Sequence, residues 1–348
     1  MFKAALDEIA PDRVPAPLHR IKLNQNENPC ELPARLRARI LARMKEAAWS
    51  RYPDFPPAGL RRRLARHTGR PEAEILIGHG SNELILSAAL ATLSRGSGVV
   101  LAEPGFALFE RVATLCEAAI RRVRLNEDLS FPVDRLQSEA ARPDTALVLL
   151  ASPNNPTGSV LSSGAIAQIA GGTRALVLLD EAYHEFAAAD HLRLLSELPH
   201  LVITRTFSKA CAMAGLRLGY ALGAPETIAR LEAATLPFSI DLGAQIAGEE
   251  VIDHFDLIRP AVAGVIRRRA RLQRALGRFG QIRAYPSEAN FILVRFPDAR
   301  AAWEGLLARG ILVRDVSSQP GLGGCLRITV GSAQENAQLV QALTEMLT

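Results

Sequence analysis

Lysine is nearly absent from this chain of 348 residues. Of its 41 basic residues four are lysine and 37 are arginine. Lys3, Lys22 and Lys45 lie in the first 45 residues, and the rest of the chain contains only Lys209. Arginine can replace lysine on a solvated surface, but a guanidinium neither loses its proton nor condenses with a carbonyl group. Lys209 is therefore either a chance survivor or an amine that some chemistry requires.

Paired cysteines and long apolar runs are also missing. The four cysteines (Cys30, Cys116, Cys211, Cys325) are far apart and form no CxxC pair. This argues against a disulfide framework and a zinc site, and it fits a reducing compartment. No apolar run approaches the ~20 residues that cross a bilayer, and the acidic N-terminus MFKAALDEIAPDR is unlike a signal peptide. We expect a soluble, cytoplasmic protein without a metal site.

The positive charge is not concentrated in one patch. The net charge of +5 comes from arginines spread along the chain, and the densest clusters, 61–63 and 267–269, have apolar residues around them. Such runs are usually the solvated faces of helices, so we expect no nucleic-acid binding. The length of the chain allows two domains with separate cores.

The order of apolar stretches predicts an α/β fold with a mostly parallel sheet between helices. Strand-length apolar stretches alternate with helix-length segments, which is typical of a parallel sheet covered on both faces. The predicted strands of this sheet are 75–77, 99–102, 120–125, 146–150, 175–179 and 201–204. The predicted helices between and before them are 33–48, 60–68, 83–94 and 106–117.

A smaller α+β domain is predicted at the C-terminus. Helices at 260–279 and 299–309 accompany strands at 290–295, 311–314 and 325–330, and Ser332 with Glu335 forms a capping box for a last helix. We therefore expect an N-terminal arm over 1–25, a large cofactor-binding domain over 26–250 and a small domain over 251–348. The proline-rich N-terminal segment is expected to pack with the small domain.

Polar residues follow three of the predicted strands directly. They are SPNNPTG (152–158), DEAY (180–183) and RTFSK (205–209). Because ligands of parallel sheets bind beyond the carboxyl ends of the strands, these segments are expected to meet at one site.

Pyridoxal phosphate needs the groups that these residues offer. Lys209 is an amine for its aldehyde, and Asp180 is a carboxylate for its ring nitrogen. Tyr183 and Asn155 can reach the ring hydroxyl, and Phe106 can stack on the ring. The phosphate group could be bound by Ser81, Asn82, Thr206, Ser208 and Arg217.

Each of these residues has a simpler interpretation as well. Asp180 could be a helix N-cap, GHGSN (78–82) an ordinary loop and NNPTG (154–158) only a β-turn. Arg217 could be a surface arginine, and the two aromatic residues could belong to the core. Their joint occurrence in one order, each after an apolar strand, favours the cofactor site.

A series of motifs then resembles a known family. They are NENP (26–29), RYPD (51–54), GHGSNELI (78–85), SPNNPTG (152–158), DEAYHEF (180–186), RTFSKACAMAGLRLGY (205–220), ANFILVRF (289–296) and VRDVSSQPGLGGCLRITVG (313–331). Together they resemble the fold-type-I pyridoxal-phosphate aminotransferases. The chain is most similar to the histidinol-phosphate aminotransferases, mainly through the last motif.

The resemblance implies a role for each candidate residue. Lys209, Asp180 and Tyr183 are implied to be catalytic, with Lys209 bonded to the cofactor. Tyr52 is implied to reach the cofactor phosphate of a neighbouring subunit, which means a homodimer with shared sites. The other implied cofactor contacts are Ser81, Asn82, Phe106, Asn155, Thr206, Ser208 and Arg217.

The resemblance also implies the substrates. Arg327, with Arg314 and Asn155, would bind the anionic end of the substrate, since a guanidinium accepts a phosphate or a carboxylate in the same way. The implied reaction is transamination of L-histidinol phosphate with 2-oxoglutarate, giving imidazole acetol phosphate and glutamate in histidine biosynthesis. Phe106 and Cys30 depart from the family, which usually has tyrosine and an aromatic residue there, and the arm lacks a tyrosine that often closes over substrate.

Three alternatives remain open at this point. An aromatic or other amino-acid aminotransferase and a threonine-phosphate-type decarboxylase have similar motifs. A cofactor-sensing regulatory module would need a DNA-binding helix-turn-helix ahead of this part, and the segment before the first motif is expected to be too short for one.

Overall fold

The computed structural model describes residues 3–7, 9 and 17–347. Twelve strands lie within these residues. They are β1 (Ile21–Leu23), β2 (Ile75–Gly78), β3 (Gly98–Glu103), β4 (Ala119–Arg124), β5 (Thr145–Ala151), β6 (Leu176–Asp180), β7 (Leu201–Thr206), β8 (Gly219–Gly223), β9 (Arg283–Ala284), β10 (Phe291–Arg295), β11 (Ile311–Asp315) and β12 (Cys325–Thr329).

The larger sheet has seven strands in the order β2-β8-β7-β6-β5-β3-β4. The pairs from β4 through β7 are parallel, whereas β8 is antiparallel to both β7 and β2. All six strands predicted for this sheet are present. The strand that the sequence did not predict is β8, whose sequence GYALG is short and begins and ends with glycine.

Eleven α-helices lie in the same described part of the chain. They are α1 (Ala34–Glu46), α2 (Ala58–Thr68), α3 (Ser81–Thr92), α4 (Ala107–Leu115), α5 (Val133–Ala140), α6 (Ser163–Gly171), α7 (Pro225–Ala233), α8 (Leu242–Asp253), α9 (Arg259–Leu276), α10 (Ala299–Ala308) and α11 (Ala333–Leu347). Across residues 3–7, 9 and 17–347, no helix has the length and apolarity that a bilayer span requires.

Apolar clusters cover both faces of the larger sheet. Successive side chains of a strand point to opposite faces, so Leu178 and Leu179 of β6 belong to two different clusters, and both are fully buried. One cluster includes residues of α1, α2, α6 and α8, and the other includes residues of α3, α4 and α7. The predicted α/β fold with helices on both sides of a mostly parallel sheet is confirmed.

The smaller sheet has the order β1-β11-β12-β10-β9. Apolar residues of α9, α10 and α11 pack against it. Strand β1 pairs in parallel with β11, and its Ile21 and Leu23 are buried while Lys22 is exposed. The sequence assigned this segment to an arm and did not predict the strand, which has only three residues.

The predicted capping box of the last helix is confirmed. The backbone N–H of Ser332 donates to Glu335 Oε2 at 2.7 Å, and the backbone N–H of Glu335 donates to Ser332 Oγ at 3.2 Å. These bonds satisfy backbone donors that the first turn of a helix leaves without partners. They fix the turn that connects β12 to α11.

The central strands of the larger sheet are expected to carry much of the stability. Leu149 of β5 is fully buried, whereas Leu90 of α3 is 57% exposed. Leu149→Ala should lower the free energy of unfolding by about 2–5 kcal/mol, because it removes apolar contacts and leaves a cavity. Leu90→Ala, the matched control, should change it by about 0.5 kcal/mol or less. Denaturant titration of both variants measures this, and equal losses would contradict the assignment of the core.

Candidate active site

A cavity of about 1340 Å³ lies where the two sheets meet. Residues at the carboxyl ends of β5, β6 and β7 line it together with residues of β11 and β12. The predicted site residues in its lining are Ser81, Asn82, Phe106, Asn155, Asp180, Tyr183, Thr206, Ser208, Lys209, Arg217, Arg314 and Arg327. The structure therefore brings together all the predicted site residues except Tyr52. The described residues that line the cavity do not include Tyr52.

Lys209 lies three residues after the end of β7. Its Nζ donates to the backbone oxygen of Gln25 at 3.1 Å and lies 5.9 Å from the ring centroid of Tyr183. Burial lowers the pKa of this amine from 10.5 to about 8, and the positive charges of Arg327 and Arg217 act in the same direction. An amine with a pKa near the operating pH can accept and return a proton.

Asp180 is the last residue of β6 and is 4% exposed. Burial raises the pKa of its carboxyl group to about 6, although Thr204 Oγ1 donates to Oδ1 at 3.0 Å and stabilises the ionised form. The interpretation as a helix N-cap is wrong, since the next helical turn, His184–Phe186, begins after Tyr183. A carboxylate buried in this way is stabilised by a cationic partner.

The start of α3 forms one side of a narrow cradle. Gly80 precedes the helix with a φ of 77°, and Ser81 and Asn82 begin it. A Cβ at Gly219 of β8 would lie 2.6 Å from the backbone N of Ser81, and one at Gly80 would lie 2.7 Å from Arg217 Nη2. Position 219 therefore needs glycine because of the close backbone, and position 80 needs it because of its positive φ. The first N–H groups of a helix have no partners within it and bind anions well.

Two hydroxyl groups and a guanidinium form the other side of the cradle. Ser208 Oγ accepts from Thr206 Oγ1 at 3.0 Å and from Arg217 Nη1 at 3.2 Å. Arg217 has a φ of 50°, in the left-handed region, and its Nη1 also donates to the backbone oxygen of Ala214. The cradle thus combines helix N–H groups, hydroxyl groups and one positive charge, which suits a phosphate group.

Three more side chains line the same cavity. The hydroxyl oxygen of Tyr183 accepts from Asn26 Nδ2 at 2.9 Å. Asn155 Oδ1 accepts from Arg327 Nη1 at 2.5 Å. The ring of Phe106 lines the cavity and packs edge-on against Phe109, with 5.6 Å between centroids. An aromatic face and polar groups therefore surround the space next to Lys209 and Asp180.

Two arginines approach the cavity from the smaller sheet. Arg314 of β11 and Arg327 of β12 are direct partners in the strand register. Burial lowers the pKa of Arg327 to about 10, and the charge of Arg314 adds to the effect. Arg327 Nη2 donates to the backbone oxygen of Asn24 at 2.7 Å, but its buried Nε has no partner among the described residues. Two neighbouring positive charges with an unsatisfied N–H group favour an anionic ligand.

The segment 24–28 is a part of the site that the sequence analysis missed. It follows β1, and the backbone oxygens of Asn24 and Gln25 accept from Arg327 and Lys209. The side chain of Asn26 donates to Tyr183. Three asparagines within five residues are a usable signal for side chains that bond to backbone and loops, but the sequence does not say which partners they meet.

These residues fit pyridoxal phosphate, as the sequence predicted. The cradle of α3, Ser208 and Arg217 suits its phosphate group, and the poorly compensated charge of Asp180 suits a protonated ring nitrogen. Lys209 provides an amine that is partly neutral near pH 8.

Known proteins resemble this chain over most of its length. The family model for aminotransferase class I and II matches residues 19–343. The histidinol-phosphate aminotransferases of Prosthecochloris aestuarii and Chlorobium phaeovibrioides are each 39% identical to this chain. The alignments cover 94% of the chain and 92% of the first protein, and 93% of the chain and 90% of the second. The crystal structure of histidinol-phosphate aminotransferase from Sinorhizobium meliloti in complex with pyridoxal-5'-phosphate has a TM-score of 0.90 at 26% identity, covering 99% of this chain and 97% of that chain.

The low pKa of Lys209 can be measured in cofactor-free protein. The rate at which acetic anhydride labels Lys209, followed by peptide mass spectrometry, should rise with pH with a midpoint near 8. Arg327→Gln should raise this midpoint, because it removes a positive charge that disfavours the protonated amine. Glu27→Gln should lower it, because Glu27 favours the protonated form. A native midpoint near 10.5, or shifts of the same sign in both variants, would contradict this electrostatic description.

Proposed function

This chain belongs to the class I and II aminotransferase family, and from that premise we propose that it transfers the amino group of L-histidinol phosphate to 2-oxoglutarate. The products are imidazole acetol phosphate and glutamate, in a step of histidine biosynthesis. The curated relatives reported above are histidinol-phosphate aminotransferases that match over more than nine-tenths of this chain. Their similarity supports the same substrate here.

The observation that carries the proposal is the pair Arg314 and Arg327. Two guanidinium groups in register on neighbouring strands line the same cavity as Lys209. A phosphate monoester brings close to two negative charges, which compensates two buried or half-buried cations better than one carboxylate does. Because a guanidinium also binds carboxylates bidentately, the same pair serves glutamate and 2-oxoglutarate in the second half of the reaction.

Pyridoxal phosphate is the cofactor of this reaction. When bound, it would supply a carbonyl group that condenses with the substrate amine and a ring that accepts electrons from substrate Cα. Ser208, Arg217 and the N-terminus of α3 would hold its phosphate group, and Phe106 would lie against its ring. Asn155 and Tyr183 would bond to its ring hydroxyl.

The residues of the chain perform the proton transfers. With a pKa near 8, Lys209 Nζ is partly neutral under physiological conditions and takes the proton from substrate Cα. The Asp180 carboxylate, which accepts a hydrogen bond from Thr204 Oγ1, would stabilise the protonated, positively charged form of the ring nitrogen. Arg327 and Asn155 hold the substrate so that its Cα faces Lys209, and their bond at 2.5 Å fixes both side chains.

The enzyme is proposed to be a cytoplasmic homodimer with shared active sites. Tyr52 is 82% exposed, and its ring stacks on Phe238 with 4.7 Å between centroids. Phe55 packs on the same ring of Phe238 at 5.2 Å. Exposed aromatic clusters of this kind are typical of interfaces. In this arrangement Tyr52 binds the cofactor phosphate of the partner subunit. The scattered free thiols suit a reducing compartment.

The substrate proposal predicts a preference that depends on Arg314. Purified enzyme should use L-histidinol phosphate with a higher kcat/KM than phenylalanine, with 2-oxoglutarate as the acceptor. Arg314→Gln should lower kcat/KM for histidinol phosphate roughly 10- to 100-fold, the value of one charge-assisted hydrogen bond. The same substitution should lower kcat/KM for phenylalanine much less, because phenylalanine carries a single carboxylate and no phosphate group.

The control for this experiment is Arg309→Gln. Arg309 is a surface arginine that pairs with Glu345, so its replacement should leave both values unchanged. Equal losses for the two substrates in Arg314→Gln, or a preference for phenylalanine in the native enzyme, would contradict the assignment. Release of carbon dioxide from threonine phosphate, which unlike histidinol phosphate carries a carboxylate, would identify a decarboxylase instead.

Shared active sites predict complementation between two inactive variants. Lys209→Ala should lose at least roughly 10³-fold in kcat, because it lacks the proton acceptor, and Tyr52→Ala should bind the cofactor weakly. A hybrid dimer of the two has one site of its two with both native residues. An equal mixture that exchanges subunits at random, in which about half of the dimers are hybrids, should therefore recover about a quarter of the native activity. Mixing Lys209→Ala with Asp180→Ala, which act in the same site, should recover none. A chain that sediments as a monomer would refute the shared site.

A further inference from the structure

We propose that Asn26 is a positioning residue that sets the direction of the hydrogen bond made by Tyr183, so that the proton of the Tyr183 hydroxyl points into the cofactor cavity. This inference rests on the proposed function of the site. It concerns a residue three positions after β1, and it gives the NENP motif a specific physical role.

Every polar group of Asn26 has a partner. The residue is 1% exposed. Its backbone N–H donates to Thr329 Oγ1 at 3.0 Å, and its backbone oxygen accepts from Asn290 Nδ2 at 2.9 Å. Its side-chain Oδ1 accepts from Thr329 Oγ1 at 3.2 Å, and its Nδ2 donates to the Tyr183 oxygen at 2.9 Å. The side chain therefore links a strand of the smaller sheet to the loop after β6.

The left-handed backbone of Asn26 makes this arrangement possible. Its φ is 55°, a conformation that asparagine adopts more readily than most residues. With this φ, the backbone N–H and the side-chain oxygen both reach the same hydroxyl group of Thr329. Asn26 is thus fixed at two points on one side, and only its NH₂ group is left to face Tyr183.

The direction of each bond follows from the donor inventory. A backbone N–H can only donate, so Thr329 Oγ1 is the acceptor of that bond. The Thr329 hydroxyl keeps its own proton for Asn26 Oδ1, which holds the amide oxygen on the Thr329 side. The NH₂ group then donates to the Tyr183 oxygen. A hydroxyl that accepts from Asn26 cannot donate to it, so the Tyr183 proton is left for an acceptor in the cavity that Tyr183 lines.

With the cofactor bound, its ring oxygen would be the acceptor on the cavity side. A proton donated by Tyr183 stabilises negative charge on that oxygen. The oxygen then holds the neighbouring proton on Lys209 Nζ less strongly, so the proton leaves at lower pH. Loss or reversal of the Tyr183 bond should have the opposite effect and raise the pH at which this proton leaves.

The visible absorption band of the bound cofactor reports this proton without turnover. In holoenzyme, Asn26→Asp should raise the pH midpoint of the band by about 1 to 2 units, the value of one charge-assisted hydrogen bond. Its two carboxylate oxygens only accept and would take the Tyr183 proton. Thr329→Val introduces no charge and should also raise the midpoint, because the Asn26 amide loses the hydrogen bond that Thr329 Oγ1 donates to its Oδ1. Thr329→Ser retains the hydroxyl group and should retain the native midpoint.

The Tyr183→Phe background separates positioning from a direct charge effect. If Asn26 acts through the Tyr183 hydroxyl, Asn26→Asp and Thr329→Val should shift the midpoint of Tyr183→Phe by less than about 0.3 units, within the limits of additivity. Equal shifts in both backgrounds would overturn the proposal. The proposal would also be overturned if Asn26→Asp and Thr329→Val kept the native pH midpoint while Tyr183→Phe shifted it. Native protein without any cofactor band would instead refute the proposed function, and the inference with it.

Discussion

Burial of charged side chains in the cavity where the two sheets meet is the constraint on which the site depends. Desolvation raises the pKa of Asp180 to about 6 and lowers the pKa values of Lys209 and Arg327 to about 8 and about 10. Each shift is toward the neutral form. The protein thus holds three groups whose charges are incompletely compensated, and a ligand with a cationic ring and anionic ends stabilises all of them. This charge complementarity connects the fold to the proposed reaction.

The strand ends that carry these groups are held together by a second set of buried charges. Arg205 of β7 pairs with Glu181 through Nε and Oε2 at 2.8 Å, and it also bonds to Asp190. The backbone N–H of Glu181 donates to the oxygen of Thr204 at 2.8 Å, which extends the sheet register by one residue. Removing one partner of such a pair leaves an uncompensated charge. The pair therefore makes relative movement of Asp180 and Lys209 costly.

Much of the fold and of the cofactor site could be predicted from local patterns. Apolar runs gave six strands of the larger sheet, and the polar residues directly after them proved to line one cavity. Strand β8 could not be predicted, because GYALG is stabilised by pairing with β2 and β7 on both sides. The hydrogen-bond partners of residues 24–28 could not be predicted either, since they lie about 150 to 300 positions away in the chain.

Tyr52 illustrates a different limit, since its proposed partner belongs to another subunit. In the single chain it is an exposed ring packed against Phe238, and only the resemblance of its RYPD motif, not its surroundings, distinguishes it from an ordinary surface tyrosine. The segment 24–28, in contrast, has its partners within the chain, and its carbonyl and amide groups bond to Arg327, Lys209 and Tyr183. This segment joins the smaller sheet, which carries Arg327, to the loops of the larger sheet that carry Tyr183 and Lys209. Arg327 and Lys209 thus donate to neighbouring carbonyl groups of one short stretch of backbone.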